Sequence, residues 1–243
     1  MNRREAILHI GTHKTGTTAF QAALRRSRES LRAAGVHVVA DMESGQCLSL
    51  ANEAVRETLI FPARTGNPDL LLPEARRYAR RWLREQFASE HPRVIASHEA
   101  LSFVRTEAEV RRIKRLMAGR RVTVIVVLRD PVAYARSFAE QLASMGFASE
   151  SRYASSFMNV SPRSWLLDTD RLLAVYRRVF GRRSVIVLDY DEVRRSGSVT
   201  RTLWEMAGLP VPEDPSVLDA WENVSAAKPP HPPARRWAHR EWE

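Results

Sequence analysis

Residues 8–18, Leu-His-Ile-Gly-Thr-His-Lys-Thr-Gly-Thr-Thr, hold the densest set of groups in the chain able to bind an anion. A short apolar strand, Ala6 to Ile10, runs into a loop and then a helix. The loop carries Gly11, Gly16, His13, Lys14 and threonines at positions 12, 15, 17 and 18. Such a loop turns several backbone N–H groups toward one point, and the helix N-terminus adds the positive end of its dipole. Lys14 supplies a mobile charge, and Thr17 and Thr18 supply hydroxyls. The segment reads as a phosphate cradle. A plain Gly/Thr turn capping a helix accounts for Gly11, Gly16 and one threonine, but not for His13-Lys14-Thr15 in the same turn.

Two later segments bring further chemistry. Val122 to Leu128 is an almost wholly apolar, β-branched run, the pattern of a strand buried on both faces. It ends in Arg129-Asp130-Pro131, and a helix is predicted from Pro131 to about Met145, with proline in the first turn where a missing N–H costs nothing. Arg129 thus stands at the carboxyl end of a central strand, where open α/β sheets bind ligands, and Ser137-Phe138 follow on the helix. Elsewhere an arginine at a strand end is a solvated charge, and a helix serine an exposed hydroxyl. Arg93 to Ser97 reads as a short buried strand that delivers His98 and Glu99 to the same edge. A histidine or a carboxylate there can take a proton from an attacking alcohol or amine. Glu99 also fits an early-helix acid stabilised by the helix dipole, since Ala100-Leu101 follow.

The spacing of Gly11 and Gly16 matches the nucleoside-triphosphatase pattern G-x-x-x-x-G-K-[ST]. Here, however, Thr17 takes the lysine position and the lysine lies at 14, inside the loop. That arrangement resembles the 5′-phosphosulfate loop of sulfotransferases, whose donor is 3′-phosphoadenosine 5′-phosphosulfate (PAPS). Arg129-Asp130-Pro131 through Ser137-Phe138 is similar, position for position, to the family's R-[DN]-P-x(5)-S-[FY], in which arginine and serine hold the donor's 3′-phosphate. The closing pattern Tyr176, Phe180-Gly181, Val185 to Asp191 and Gly208-Leu209 also resembles bacterial sulfotransferases, extending the likeness over roughly residues 5–210. The soluble bacterial type, related to the carbohydrate and heparan-type enzymes, is the branch it resembles.

The resemblance implies in-line sulfuryl transfer to a hydroxyl or amine. Lys14 would bond the bridging oxygen of the leaving group. The backbone and hydroxyls of Thr15, Gly16, Thr17 and Thr18 would hold the 5′-phosphate, with Arg129 and Ser137 on the 3′-phosphate. His13 would touch the sulfuryl group or the acceptor. Glu99 ranks first as general base and His98 second, the family placing a His or Glu in this region. No metal is implied. The implied partners are PAPS and an acceptor that is a saccharide, a lipid-linked molecule or a small molecule. Two rivals remain open: a P-loop nucleotide kinase or NTPase, with Val124 to Asp130 or especially Val185 to Asp189 as its metal-binding strand, and a non-catalytic PAPS- or polyanion-binding module.

The resemblance implies an α/β fold, a three-layer, P-loop-like parallel sheet flanked by helices, and 243 residues suit one such domain. The domain is expected to span 1–225, followed by a proline-rich tail, 226–243. The family's Arg-Lys-Gly loop, which completes the 3′-phosphate site, has no counterpart in the sequence. Asn223-Val-Ser225 and Lys228 stand where bacterial members often carry N-x-S. A single cysteine, Cys47, leaves no intramolecular disulfide and no Cys-based zinc site. With no signal-like or spanning apolar run, the expectation is a cytoplasmic protein with no membrane span. The basic excess, 38 − 28 = +10, is distributed over helix faces such as Arg76 to Arg84 and Arg111 to Arg115. It fits solvated faces, or attraction of an anionic donor and glycan acceptor. No nucleic-acid-binding motif accompanies it.

The remaining elements are predicted as a helix over 17–34, strand 36–40, and helices within 47–60 and 73–87 separated by a turn-rich break at 61–68. A helix over 107–117, an active-site loop after 145, a helix over 168–180, strand 184–188 and a helix near 199–207 complete the order.

Overall fold

The computed structural model describes residues 4–41, 44–59, 61–144 and 164–219. The tail and most of the loop expected after residue 145 lie outside them. In chain order the elements are β1 (Glu5–His9), α1 (Thr17–Arg26), α2 (Arg28–Ala33), β2 (Val36–Val39), α3 (Leu48–Ala54), α4 (Pro62–Gly66), α5 (Pro73–Ala88) and β3 (Arg93–Ser97). There follow α6 (Glu107–Leu116), β4 (Arg121–Leu128), α7 (Pro131–Ser144), α8 (Thr169–Phe180), β5 (Val185–Asp189), α9 (Tyr190–Ser196) and α10 (Val199–Met206).

All five strands are parallel, in the order β2-β3-β1-β4-β5. Their side chains alternate between two buried faces, as a period of two requires. Ala6 and Leu8 of β1, with Val122, Val124 and Val126 of β4, join one core with α3, α5, α6, α7 and α8. Ile7, Ile125 and Val127 face the other core, built with α1, α2 and α10. The sheet is therefore the middle of three layers, the expected α/β architecture. The chain leaves β1 over one face to reach β2 and returns to β3 and β4 over the other. This change of direction opens a crevice at the carboxyl ends of β1 and β4, the place where such sheets bind ligands.

Four local expectations differ from the structure. The helix expected over 17–34 is broken at Ser27, whose backbone takes φ −94° and ψ 12°. The turn-rich break at 61–68 contains the short helix α4, starting on Pro62 in its first turn. Its Arg64 is buried and donates to Asn52 Oδ1 and to the carbonyls of Asn52, Val55, Arg56 and Leu59 at 2.6–3.0 Å. It thereby closes the carboxyl end of α3. Helix α9, absent from the expectation, starts where Asp189 caps it by accepting from the Glu192 N–H at 2.9 Å. Finally, Glu99 opens a 3₁₀ helix, Glu99–Phe103, rather than an α-helix.

The distributed arginines divide between structural bonds and solvated charge. Glu53, almost wholly buried, is paired with Arg76 and Arg80 across α3 and α5. Lys114 donates to the Val179 carbonyl at 2.8 Å, joining α6 to α8.

Candidate active site

The loop after β1 remains tied to β4. The Ile10 and Thr12 N–H groups donate to Ile125 and Val127 carbonyls at 3.0 Å, and the Val127 N–H returns to the Gly11 carbonyl at 3.0 Å. Three of the next residues are left-handed: Gly11 at φ 76°, Lys14 at φ 62° and Gly16 at φ 78°. Lys14 alone among the described residues takes a positive φ without being glycine. That conformation costs a non-glycine residue roughly 1–2 kcal/mol, and such strain is found where a loop is shaped for a task. It curls residues 12–17 so that, among the described residues, the N–H groups of 13–19 bond no protein acceptor. These free donors and the start of α1 form an anion-binding concavity.

The hydroxyls in this loop divide in a way the sequence did not reveal. Thr15 Oγ1 donates to the Thr12 carbonyl at 2.6 Å, and Thr17 Oγ1 donates to the same oxygen at 3.1 Å. A hydroxyl has one proton to give, so in this arrangement both brace the loop. Their N–H groups remain free, and Thr18 and the Lys14 side chain stay exposed. Gly11 has a steric reason for being glycine: a Cβ there would lie 2.8 Å from the Cα of Glu99. The end of β3 is thus pressed against the loop.

Strand order brings Arg129 to the same place. Its Nη1 lies 3.5 Å from the Lys14 carbonyl, across 115 positions of sequence, and its guanidinium sits 5.1 Å over the Tyr190 ring. The Arg129 Nε is buried and has no protein partner. Ser137 lies part-way along α7 and is half-buried. Its neighbour Phe138 reaches the loop, with ring centroids 4.9 Å from His13, whose other face stacks on Phe103 at 4.9 Å.

Glu99, His98 and His13 form the ionisable centre. Burial alone would raise the carboxyl of Glu99. His98, His13, its own backbone N–H and the Gln21 amide outweigh that and hold it at about 2. Glu99 is therefore a carboxylate at neutral pH. Burial pulls His13 and His9 down to about 4 against the attraction of Glu99, so both are neutral. His98 Nδ1 accepts the Ala100 N–H at 3.0 Å, which puts the proton of the neutral ring on Nε2. A proton taken up at Nδ1 would cost that cap.

Buried polar atoms without a partner mark where a ligand or ordered water belongs. Among the described residues five side-chain atoms qualify, and four of them are here: His9 Nε2, His13 Nε2, Gln21 Oε1 and Arg129 Nε. Gln21, Ser97 and His9 were not anticipated as site residues. The one available signal was a histidine closing the otherwise apolar strand Ala6-Ile7-Leu8. The strand that a kinase reading would favour for a metal ends in Asp189, whose carboxylate caps α9 on the edge strand. No cluster of three or more possible metal ligands occurs among the described residues.

No protein-family model matches the chain, and no curated protein sequence matches it. Solved structures do. A sulfotransferase from Alicyclobacillus acidocaldarius superposes with a TM-score of 0.55 at 16% identity, over 88% of each chain. This chain has the fold of that sulfotransferase. The sulfotransferase domain of the curacin biosynthetic pathway gives a TM-score of 0.49 at 12% identity, over 90% of this chain and 78% of that one. That of the Synechococcus PCC 7002 olefin synthase gives 0.43 at 13%, over 95% and 92%. Among the described residues no helix is long and apolar enough to cross a membrane.

Proposed function

We propose that the protein transfers the sulfuryl group of PAPS to a hydroxyl or amine of an acceptor. The observation that carries this reading is the convergence of Arg129 on the carbonyl of Lys14, with a buried, unpartnered Nε beside a loop of free N–H donors. A donor with a phosphosulfate and a separate 3′-phosphate needs two anion sites side by side. The loop of residues 13–18 serves the first and Arg129 with Ser137 the second. A simple nucleoside triphosphate has no use for the second.

In this reading the N–H groups of residues 14–18 and the Thr18 hydroxyl hold the 5′-phosphate. The exposed Lys14 ammonium neutralises charge on the leaving oxygen. Transfer of this kind needs positioning and aimed donors more than covalent help, and the loop's strained backbone supplies both before substrate arrives. Glu99 takes the acceptor's proton, because it is ionised and His98 Nδ1 is occupied by the Ala100 N–H. A carboxylate at about 2 is a weak base. The negative donor in the adjoining loop raises it toward a working value, since like charges disfavour ionisation. His13, neutral and wedged between Phe103 and Phe138, offers Nε2 to the sulfuryl group or the acceptor. The acceptor itself is a saccharide, a lipid-linked molecule or a small molecule.

The test is calorimetric binding of adenosine 3′,5′-bisphosphate, with 5′-AMP and Mg-ATP as controls, to wild type and Arg129→Ala. The expected result is a preference for the bisphosphate that falls at least about tenfold in the variant, the scale of one charged hydrogen bond. Equal or tighter binding of Mg-ATP, indifferent to Arg129, would refute the reading and favour a P-loop kinase.

A further inference from the structure

Gln21 lies on the second turn of α1, the helix entered directly from the phosphate loop, and its side chain is buried. Its Nε2 donates to Ser97 Oγ at 3.2 Å and to Glu99 Oε2 at 3.1 Å, which uses both amide protons. Ser97 Oγ is also 2.8 Å from His9 Nδ1. Ser97 Oγ has two acceptor sites, so it takes the Gln21 proton and keeps a hydrogen bond to His9 Nδ1 in either tautomer of that ring. Ser97 receives from Gln21, and the remaining proton of the Gln21 amide meets the carboxylate.

We infer that Gln21 is the positioning residue for Glu99, braced by Ser97 and His9, and that it ties the carboxylate to the helix that begins at the phosphate loop. The alternative amide orientation would set Gln21 Oε1 against Glu99 Oε2, two acceptors in contact. The ionisable groups around the carboxylate are His98 beside it, His13 and Lys14 from the loop, and His9 from β1. Beside the larger electrostatic support of His98 and His13, the Gln21 amide supplies the side-chain hydrogen bond that fixes Glu99 Oε2 in place. What Glu99 does in catalysis rests on the proposed sulfuryl transfer; how Glu99 is held does not.

The experiment follows the side-chain carboxyl of Glu99 by ¹³C NMR from pH 7 to pH 3, using Glu99→Gln to assign the resonance. It compares wild type, Gln21→Leu and Ser97→Ala, with the affinity for adenosine 3′,5′-bisphosphate measured on each. In wild type Glu99 should stay ionised throughout. In Gln21→Leu its midpoint should rise by about one to two pH units, the worth of a hydrogen bond to a charged group. Ser97→Ala, which keeps the amide and removes only its brace, should move it less in the same direction. Bisphosphate affinity should stay within about twofold. An unchanged Glu99 titration in both variants would overturn the inference. So would an unchanged titration together with lost bisphosphate affinity in Gln21→Leu, which would make Gln21 a donor-site residue. If wild type fails to bind the bisphosphate while the titration still moves, the sulfotransferase reading falls and the positioning role stands.

Discussion

Gly11→Ala tests the contact that joins the loop to Glu99, and Gly35→Ala is its natural control. Both glycines are left-handed, at φ 76° and 81°, so each substitution carries the same backbone cost of roughly 1–2 kcal/mol. Their surroundings differ. At Gly35 a new Cβ meets only the ring of Pro92, 3.2 Å away at Cγ. At Gly11 it meets the main chain of Glu99, 2.8 Å from Cα and 2.9 Å from Cβ, between two strands that cannot separate without losing ladder bonds. Overpacking of this kind costs a further ~1–3 kcal/mol. In urea, Gly11→Ala should therefore lose about 2–5 kcal/mol and Gly35→Ala about 1–2 kcal/mol, at an unchanged m-value. Because the displaced backbone carries Glu99 and the loop apart, Gly11→Ala should also weaken bisphosphate binding several-fold, and Gly35→Ala should leave it alone. Equal destabilisation by the two, with equal affinity, would refute the close packing of β3 on the loop.

Other consequences are reached by simpler measurements. Arg64→Leu strands four backbone carbonyls at the end of α3 and should cost more than about 3 kcal/mol in urea denaturation; a loss under about 1 kcal/mol would contradict the buried clamp. His9, wholly buried, is lowered from 6.5 to about 4 by desolvation. The unfolded chain then binds a proton that the folded one refuses, so its contribution is complete above about pH 6.5 and is lost as pH falls toward 4. Stability should decline over that window, and His9→Gln should remove about one proton from the slope, read from urea midpoints at pH 4 to 7. A slope unchanged in the variant would show that His9 is not held neutral.

A kinase and a sulfotransferase begin from nearly the same loop, and in the proposed reading they differ in where each charge is put. The lysine of a triphosphatase follows the second glycine, at the start of the helix. Here that position is Thr17, whose hydroxyl is turned inward to Thr12, and the lysine projects from the left-handed position inside the loop. The second charge, Arg129, comes from the neighbouring strand and is held over Tyr190. Of the two strand-end aspartates that a metal-dependent reading could use, Asp189 caps α9 on an edge strand, and Asp130 accepts the Ala133 N–H at 2.8 Å at the start of α7. A non-catalytic binding module is compatible with the same anion sites. It gives no reason for a carboxylate to be kept buried and ionised in contact with the loop.

Strands and the tight glycine loop after β1 were legible because their signals are local. Val122 to Leu128 is apolar at every position but Thr123, so only a strand covered on both faces accommodates it. Gly11 and Gly16 mark positive φ directly. The break at Ser27 and the helix after Phe61 were not legible, because both are decided by distant partners. Ser27 closes α1 where the chain turns toward β2, and α4 exists to deliver Arg64 to the carbonyls of α3. The inward turn of the Thr15 and Thr17 hydroxyls was not legible either: a threonine in a glycine-bearing loop looks the same in sequence whether its hydroxyl faces outward or the loop's own carbonyl. Gln21 is the sharpest case. On its helix it reads as one polar residue among alanines. Its meaning depends on Ser97 and Glu99, some 76 and 78 positions away, arriving beside it through a parallel β1–β3 pairing. Register along that pairing sets Ser97 opposite His9, so a slip of one residue would turn Ser97 to the other face and dissolve the chain of bonds. The chemistry of Glu99 is thus specified by strand pairing as much as by the residue itself.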